Sequence, residues 1–244
     1  MTPGAQLLPE KLPAEPLEVV ARWLDEAFAA GRQPNPNSMV LATINAYGGP
    51  SARVVLCKEI RAQPGYVTFF TNYLSRKGRE LADNPRAAAV MHWDALGRQV
   101  RLEGTVTPTS AADSDAYFGS RPWQSRLGAW ASAQSEPIRS HAQLVAAFER
   151  AAQRFGTPSP VLDAAAAPSP AAPSAGAATA AAAAADVVIP RPPYWGGYHL
   201  WVDAVELWVA GPARLHDRAR WQRPLVRCES GFEAGPWSST RLQP

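Results

Sequence analysis

Cysteine is nearly missing from this chain: Cys57 and Cys228 are the only two among 244 residues. Two thiols so far apart exclude a disulfide framework and the close spacing of zinc or redox motifs, so a reducing, cytoplasmic setting is expected. Histidine is almost as sparse, and His92, His141, His199 and His216 have no metal-ligand spacing. The net charge is only +3 and no block of basic residues accompanies it, which excludes the footprint of a nucleic-acid binder. Nowhere does the chain hold about 18 consecutive strongly apolar residues. Met1 to Pro13 has neither the basic start nor the apolar centre of an export signal. A soluble, non-exported protein with no membrane partner is expected. Walker loops, dinucleotide glycine fingerprints and catalytic triads are also missing.

What is present suits a globular domain, with 46% hydrophobic residues and enough length for a sizeable core. Pro16 followed by Leu17, Val20, Ala21, Leu24, Ala27 and Phe28 has the period of an amphipathic helix, closed by Gly31. Met39–Ile44, Ala52–Cys57 and Tyr66–Phe70 read as strands joined by turns at Gly48-Gly49-Pro50 and Pro64-Gly65. Ala87–Trp93 and Gln99–Val106 are two more, and short strands so spaced favour a small barrel. Ser110 with Asp113, and Ser140 with Gln143, are capping boxes that open helices. The second of these helices, His141 to Phe155, sets Leu144, Val145, Phe148 and Phe155 on one side. Residues 157–186 turn to Ala, Pro and Ser with five prolines, the composition of a disordered insertion. Val205–Val209 and Ala219–Gln222 read as closing strands, and Arg241 to Pro244 as an apolar, basic tail. The expected organisation is a flexible stretch 1–15, one mainly β domain over 16–156 and 187–244 with flanking helices, and the insertion between.

Chemistry shows first where a strand gives way to a helix, at Phe70-Thr71-Asn72-Tyr73-Leu74-Ser75-Arg76-Lys77-Gly78. Ser75 is placed to cap a helix that Asn84-Pro85 ends. Arg76 and Lys77 then fall in its first turn, where the dipole already disfavours cations by a few tenths of a kcal/mol each. A bound phosphate reverses that sign. A solvated basic face is the competing reading of this stretch taken alone. Further cations follow: Arg53 and Lys58 flank Val54-Val55-Leu56-Cys57, Arg121 precedes Pro122, and Arg214, His216 and Arg218 alternate. On an extended chain those last three share one side. Many donors without an evident carboxylate base suit two phosphate groups, on one ligand or on two.

Ten features, taken in order, resemble the pyridoxamine 5'-phosphate oxidase family. They are Arg53 to Lys58, Phe70-Thr71 with Ser75-Arg76-Lys77, Arg98-Gln99-Val100, Tyr117 with Ser120-Arg121-Pro122 and Ser125, Gly128-Ala129-Trp130, Gln134-Ser135, Trp195-Gly196-Gly197, Trp208, Arg214-Leu215-His216-Asp217-Arg218, and Arg241-Leu242-Gln243-Pro244. The likeness runs from about Pro16 onward, outside the insertion. It implies an FMN-binding split β-barrel that works as a homodimer. It also implies that FMN is held by Arg53, Val54, Val55, Leu56, Cys57, Lys58, Phe70, Thr71, Arg76, Lys77, Gln99, Gln134, Ser135, Trp208 and Arg218. By the same resemblance Lys58, Tyr117, Arg121 and Ser125 grip a substrate phosphate, and Arg214, Leu215 and His216 meet the substrate. Arg214 and His216 would be the catalytic pair, the first for positioning and electrostatic help, the second for a hydrogen bond or proton relay. The implied reaction oxidises pyridoxine or pyridoxamine 5'-phosphate with dioxygen, giving pyridoxal 5'-phosphate and hydrogen peroxide, with ammonia from the amine. No metal is implied.

The chain departs from the family pattern in three places. No Arg- and Tyr-bearing lid segment precedes the first helix, Cys57 stands where Leu is common, and the insertion has no counterpart. Cys57 reads as a buried thiol. Two other functions stay open: a related FMN-dependent oxidase acting on another ring system, such as a phenazine precursor, and a non-catalytic carrier of flavin or pyridoxal phosphate. Lys58, Tyr117, Arg121 and Ser125 argue against the phenazine-type reading, because they make sense for a phosphorylated substrate.

Overall fold

A computed structural model describes residues 7–158, 187–229 and 231–244. In chain order the elements are α1 (Pro16–Ala30), β1 (Ser38–Ile44), β2 (Pro50–Leu56), β3 (Glu59–Arg61), β4 (Tyr66–Asn72), α2 (Arg76–Asp83), β5 (Arg86–Trp93), β6 (Arg98–Pro108), α3 (Ala111–Ser120), α4 (Trp123–Ala131), α5 (His141–Phe155), β7 (Trp195–Val209), β8 (Asp217–Gln222), β9 (Leu225–Cys228), β10 (Gly231–Ala234) and β11 (Ser238–Leu242). The expected disordered insertion lies outside the described residues from 159 to 186. Two units divide the chain, one of Met1–Phe70, Lys77–Thr109 and Gly197–Pro244, the other of Thr71–Arg76 and Ser110–Gly196.

The first unit is built on an antiparallel sheet ordered β11-β8-β7-β6-β5-β1-β2, with β4 also pairing β7 and β3 pairing β4. The branch falls on β7. One edge of this strand pairs with β6 from Arg98 opposite Val209 to Pro108 opposite Tyr198, while β8 takes only Ala204 to Val209 of the other edge. Only the last third of β7 was expected from the sequence. Nearly all of its fifteen residues are buried, so neither a two-residue alternation nor a helical period marks its beginning. Opposite Glu103 and Gly104 the register shifts, leaving Asp203 as a bulge. A Cβ on Gly104 would lie 1.8 Å from the Trp201 carbonyl oxygen, so glycine alone lets the two strands close there.

Helix α1 begins with Glu15 accepting from Leu17 N at 3.1 Å, has Pro16 at its first turn, and ends on Gly31 at φ 58°. Its buried face differs from the expected one. Trp23 is 4% exposed while Phe28 is 52% exposed, because the larger indole takes the core position and carries the Arg98 guanidinium 4.9 Å above its ring. The stretch expected to be flexible, 1–15, is anchored over its described part. Leu8 N donates to Asp217 at 2.7 Å, the Pro9 carbonyl accepts from Arg241 at 2.8 Å, and the Pro13 carbonyl accepts from buried Trp221 at 2.8 Å. The expected tail is strand β11, paired with β8 from Ser238 opposite Gln222 to Leu242 opposite Arg218.

The second unit holds α3, α4 and α5. Ser110 Oγ accepts from Asp113 N at 3.0 Å and Ser140 Oγ from Gln143 N at 3.2 Å, as the capping boxes predict. Ala151 and Ala152 are the buried residues of α5, whereas the expected stripe of Leu144, Val145, Phe148 and Phe155 is half-buried. Arg154 covers the Trp130 ring at 4.5 Å, and the Trp130 indole donates to the Pro190 carbonyl at 2.8 Å.

Candidate active site

Consecutive cations at the start of α2 have opposite environments: Arg76 is exposed and Lys77 is 8% exposed. Burial lowers the Lys77 ammonium to about 8, the Arg53 charge pushes the same way, and Glu80 opposes both. Arg53 reaches this helix from β2. Its guanidinium donates to Glu80 Oε2 at 2.9 Å, to Ser51 at 2.5 Å, to the Leu41 carbonyl at 3.2 Å and to Thr43. Glu80 also accepts from Ser51 at 2.7 Å and Thr43 at 2.5 Å. Arg53, Lys77 and Glu80 thus carry one net positive charge in a largely buried setting, a donor set suited to an anionic group such as the FMN phosphate. Ser75 is fully buried and its hydroxyl donates to the Asn72 carbonyl at 2.7 Å.

Along β2, the edge strand of the sheet, Val54 is exposed while Val55 and Leu56 are half-covered. Cys57 is buried, which pushes its thiol up to about 12, so it is an unreactive packing residue as expected. Lys58 projects exposed just beyond, its amide bonded to the Thr68 carbonyl at 2.8 Å. Phe70 lies against Gly197, where an added Cβ would come within 2.7 Å of the Phe70 ring.

Across β6, β7 and β8 three expected site residues stand in one row. Gln99 is opposite Trp208, and Trp208 is opposite Arg218. Arg218 is fixed by Glu206 at 2.8 Å and by the Gln243 carbonyl at 2.9 Å. His216 closes on the same row, its ring 4.6 Å from that of Trp208. Its Nδ1 accepts from Gly211 N at 3.2 Å, so the neutral imidazole carries its proton on Nε2. Arg214 corrects the sequence reading. Ala213 and Arg214 adopt φ of 51° and 64° inside a short 3-10 turn, so the Arg214, His216, Arg218 alternation is not one extended strand. Left-handed conformations in non-glycine residues carry strain of about 1 kcal/mol each and cluster where loops are shaped for function. Arg214 and Leu215 are both exposed.

In the second unit Thr71 Oγ1 donates to Gln134 Oε1 at 3.2 Å, joining two expected residues 63 positions apart. Ser135 follows at φ 75°. Tyr117 stacks on Trp195 at 6.1 Å and 8°, and the Arg121 guanidinium lies over the same indole at 4.7 Å. Burial draws the Arg121 guanidinium below its usual value, with Tyr117 opposing. Ser125 is half-buried in the first turn of α4.

Sequence reasoning missed Glu80, Glu206 and Trp195 as supports of these side chains. Glu80 had a readable signal, since it follows Lys77 by three residues on one helix. Glu206 and Trp195 had none, because their partners are distant in the chain.

An antiparallel sheet carrying largely buried cations is a β protein suited to an anionic ligand. The family model for pyridoxamine 5'-phosphate oxidase matches residues 24–155, and that for the pyridoxine 5'-phosphate oxidase C-terminal dimerisation region matches 195–244. The pyridoxine/pyridoxamine 5'-phosphate oxidase of Bordetella avium (strain 197N) is 47% identical over 88% of this chain and 87% of that protein. The protein of the same name from Burkholderia cenocepacia (strain HI2424) is 42% identical over 94% of this chain and 89% of its own. Among solved structures, PhzG from Burkholderia lata 383, in complex with tetrahydrophenazine-1-carboxylic acid, superposes with a TM-score of 0.74 at 29% identity, covering 99% of both chains. A pyridoxamine 5'-phosphate oxidase-related, FMN-binding protein from Nostoc punctiforme PCC 73102 shares the fold, with a TM-score of 0.60 at 15% identity over 93% of this chain and 96% of that one. The chain belongs to the pyridoxamine 5'-phosphate oxidase family, and its fold is the split β-barrel. Among the described residues no helix is long and apolar enough to cross a membrane.

Proposed function

We propose that this protein oxidises pyridoxine and pyridoxamine 5'-phosphate to pyridoxal 5'-phosphate with FMN as its cofactor, as a homodimer. The observation that carries this reading is the half-buried guanidinium of Arg121, which lies over Trp195 and whose buried Nη1 has no hydrogen-bond partner among the described residues. A buried donor of this kind calls for an anionic acceptor, and a phosphorylated substrate supplies one. The match to a dimerisation region supports the homodimer.

FMN, when bound, supplies the hydride acceptor for the substrate C4' carbon and passes both electrons to dioxygen, which becomes hydrogen peroxide. The chain's own residues bind and orient. Lys77, Arg53 and Arg76 would hold the FMN phosphate. The family resemblance assigns to the cofactor Thr71, Gln134 and Ser135 of the second unit, and Gln99, Trp208, Arg218, Phe70 and the stretch from Arg53 to Lys58 of the first. Lys58, Tyr117, Arg121 and Ser125 hold the substrate phosphate. His216, oriented by Gly211 and Trp208, presents Nε2–H as a donor to the substrate, and the strained loop presents Arg214 and Leu215 to its ring. With the amine, hydrolysis of the product imine releases ammonia.

The likeness to PhzG supports a second reading, oxidation of a phenazine precursor. One titration separates the readings. Anaerobic pyridoxine 5'-phosphate should bleach the flavin absorbance of the purified protein, and air should restore it with formation of pyridoxal 5'-phosphate. A flavin band that ignores this substrate but bleaches with a reduced phenazine carboxylate would transfer the assignment to the second reading. A band that ignores both would leave a carrier.

A further inference from the structure

Four buried side-chain nitrogens lack a hydrogen-bond partner among the described residues: Arg98 Nε, Arg121 Nη1, Trp123 Nε1 and Arg126 Nε. Arg98 is otherwise engaged, paired with Glu26 and lying over Trp23. The other three fall within six residues, Arg121 just after α3 and Trp123 and Arg126 in the first half of α4. Unsatisfied buried donors are rare and destabilising, and three within six residues mark a stretch short of acceptors among the described residues.

The chemistry of that missing group is constrained. Trp123 is 7% exposed, and an indole nitrogen can only donate. Guanidinium groups likewise only donate, and they stay charged. The segment Arg121 to Ala131 contains no Asp or Glu, so the two arginines have no carboxylate of their own segment to neutralise them. Trp123 and Arg126 are three residues apart on α4 and share a face. The first turn of this nine-residue helix has no side-chain cap, which leaves its amide dipoles uncompensated on the same side of charge. Donors without acceptors, two of them cationic, fit a small, acceptor-rich anion.

We propose that Trp123 and Arg126 join Arg121 and Ser125 in an extended cradle for the substrate's phosphate monoester, so that this chain grips the dianion with two arginines and an indole N–H. The inference rests on the reading that the substrate is phosphorylated. It assigns to Trp123 and Arg126 a binding role in place of simple helix packing.

Two substitutions test it in the FMN-loaded protein. Trp123→Phe removes one N–H and keeps an aromatic ring, and Arg126→Gln removes the charge. For pyridoxine 5'-phosphate, KM should rise roughly tenfold in Arg126→Gln and roughly threefold in Trp123→Phe, with kcat changed less than about twofold, as expected for lost bonds to a charged group. Inorganic phosphate should inhibit both variants more weakly than wild type. Without phosphate, Trp123→Phe should melt no lower than wild type, because an unsatisfied donor has been removed. Unchanged KM and unchanged phosphate inhibition in both variants would overturn the proposal. If the wild type does not oxidise pyridoxine 5'-phosphate at all, the functional reading fails separately, and thermal stabilisation by inorganic phosphate then decides. Stabilisation present in wild type and lost in both variants sustains the cradle; stabilisation equal in all three, or absent from wild type, sinks it.

Discussion

The Arg53 guanidinium donates to Glu80 Oε2 at 2.9 Å, tying strand β2 to helix α2 across 27 positions of sequence. Glu80 is 5% exposed and also accepts from Ser51 and Thr43, so one carboxylate oxygen gathers three donors. Glu80→Ala should therefore lower stability by about 3 kcal/mol, because it strands a partly buried guanidinium, and should release FMN. Denaturant unfolding of the cofactor-free protein checks the first part; an unchanged midpoint would mean that solvent replaces Glu80 without cost.

Lys77 makes FMN binding pH-dependent. Its ammonium titrates at about 8 in the cofactor-free protein, below its ordinary value, chiefly because burial penalises the charge. A bound phosphate dianion favours the charged form, so above about 8 the protein must take up a proton to bind. Affinity for FMN should fall by roughly tenfold per pH unit from about 8 upward, with proton uptake. For the cofactor-free protein the sign runs the other way. The folded state holds Lys77 less protonated than the unfolded chain between about 8 and 10.5, so this residue's unfavourable contribution is full below that window and fades as pH rises through it. Flavin fluorescence quenching against pH reports the affinity, and Lys77→Arg should flatten the profile.

Replacing both Arg76 and Lys77 with Ala should leave a protein that purifies with little flavin. Most of the loss should follow Lys77, the buried member. A double variant as yellow as wild type would remove the phosphate from the start of α2.

Arg214→Ala should retain FMN and lose roughly a hundredfold in turnover, the scale of a removed electrostatic contact to the reacting substrate. Loss of flavin instead would move Arg214 to the cofactor side. Arg214→Gly should be as inactive yet more stable by about 1 kcal/mol, since φ of 64° suits glycine.

Local features were legible in the chain. Both capping boxes, the Pro16 start and Gly31 stop of α1, and the cores of six strands (β1, β2, β4, β5, β6 and β8) needed only neighbouring residues, so their signals survive in sequence order. The first two thirds of β7, before Val205, were not legible, because a strand buried on both faces loses its alternation. Strands β9 and β10 were missed too: each has four residues, too few to show a period. The buried face of α1 was misjudged between Trp23 and Phe28, a choice that rests on which ring the sheet can accommodate.

For the site, the sequence by itself determined which residue types are available: cations in a helix's first turn, an Arg before Pro, a His two residues from an Arg. Only the tertiary structure decided how they are used. Lys77 rather than Arg76 is buried, Arg53 is held by Glu80, Gln99, Trp208 and Arg218 stand in one row, and Arg214 sits in a left-handed turn rather than on a strand. The physical reason is that burial and hydrogen-bond partnership are properties of neighbours in space. Thr71 meets Gln134 and Arg121 meets Trp195 across 63 and 74 positions of chain, a separation that no local pattern spans.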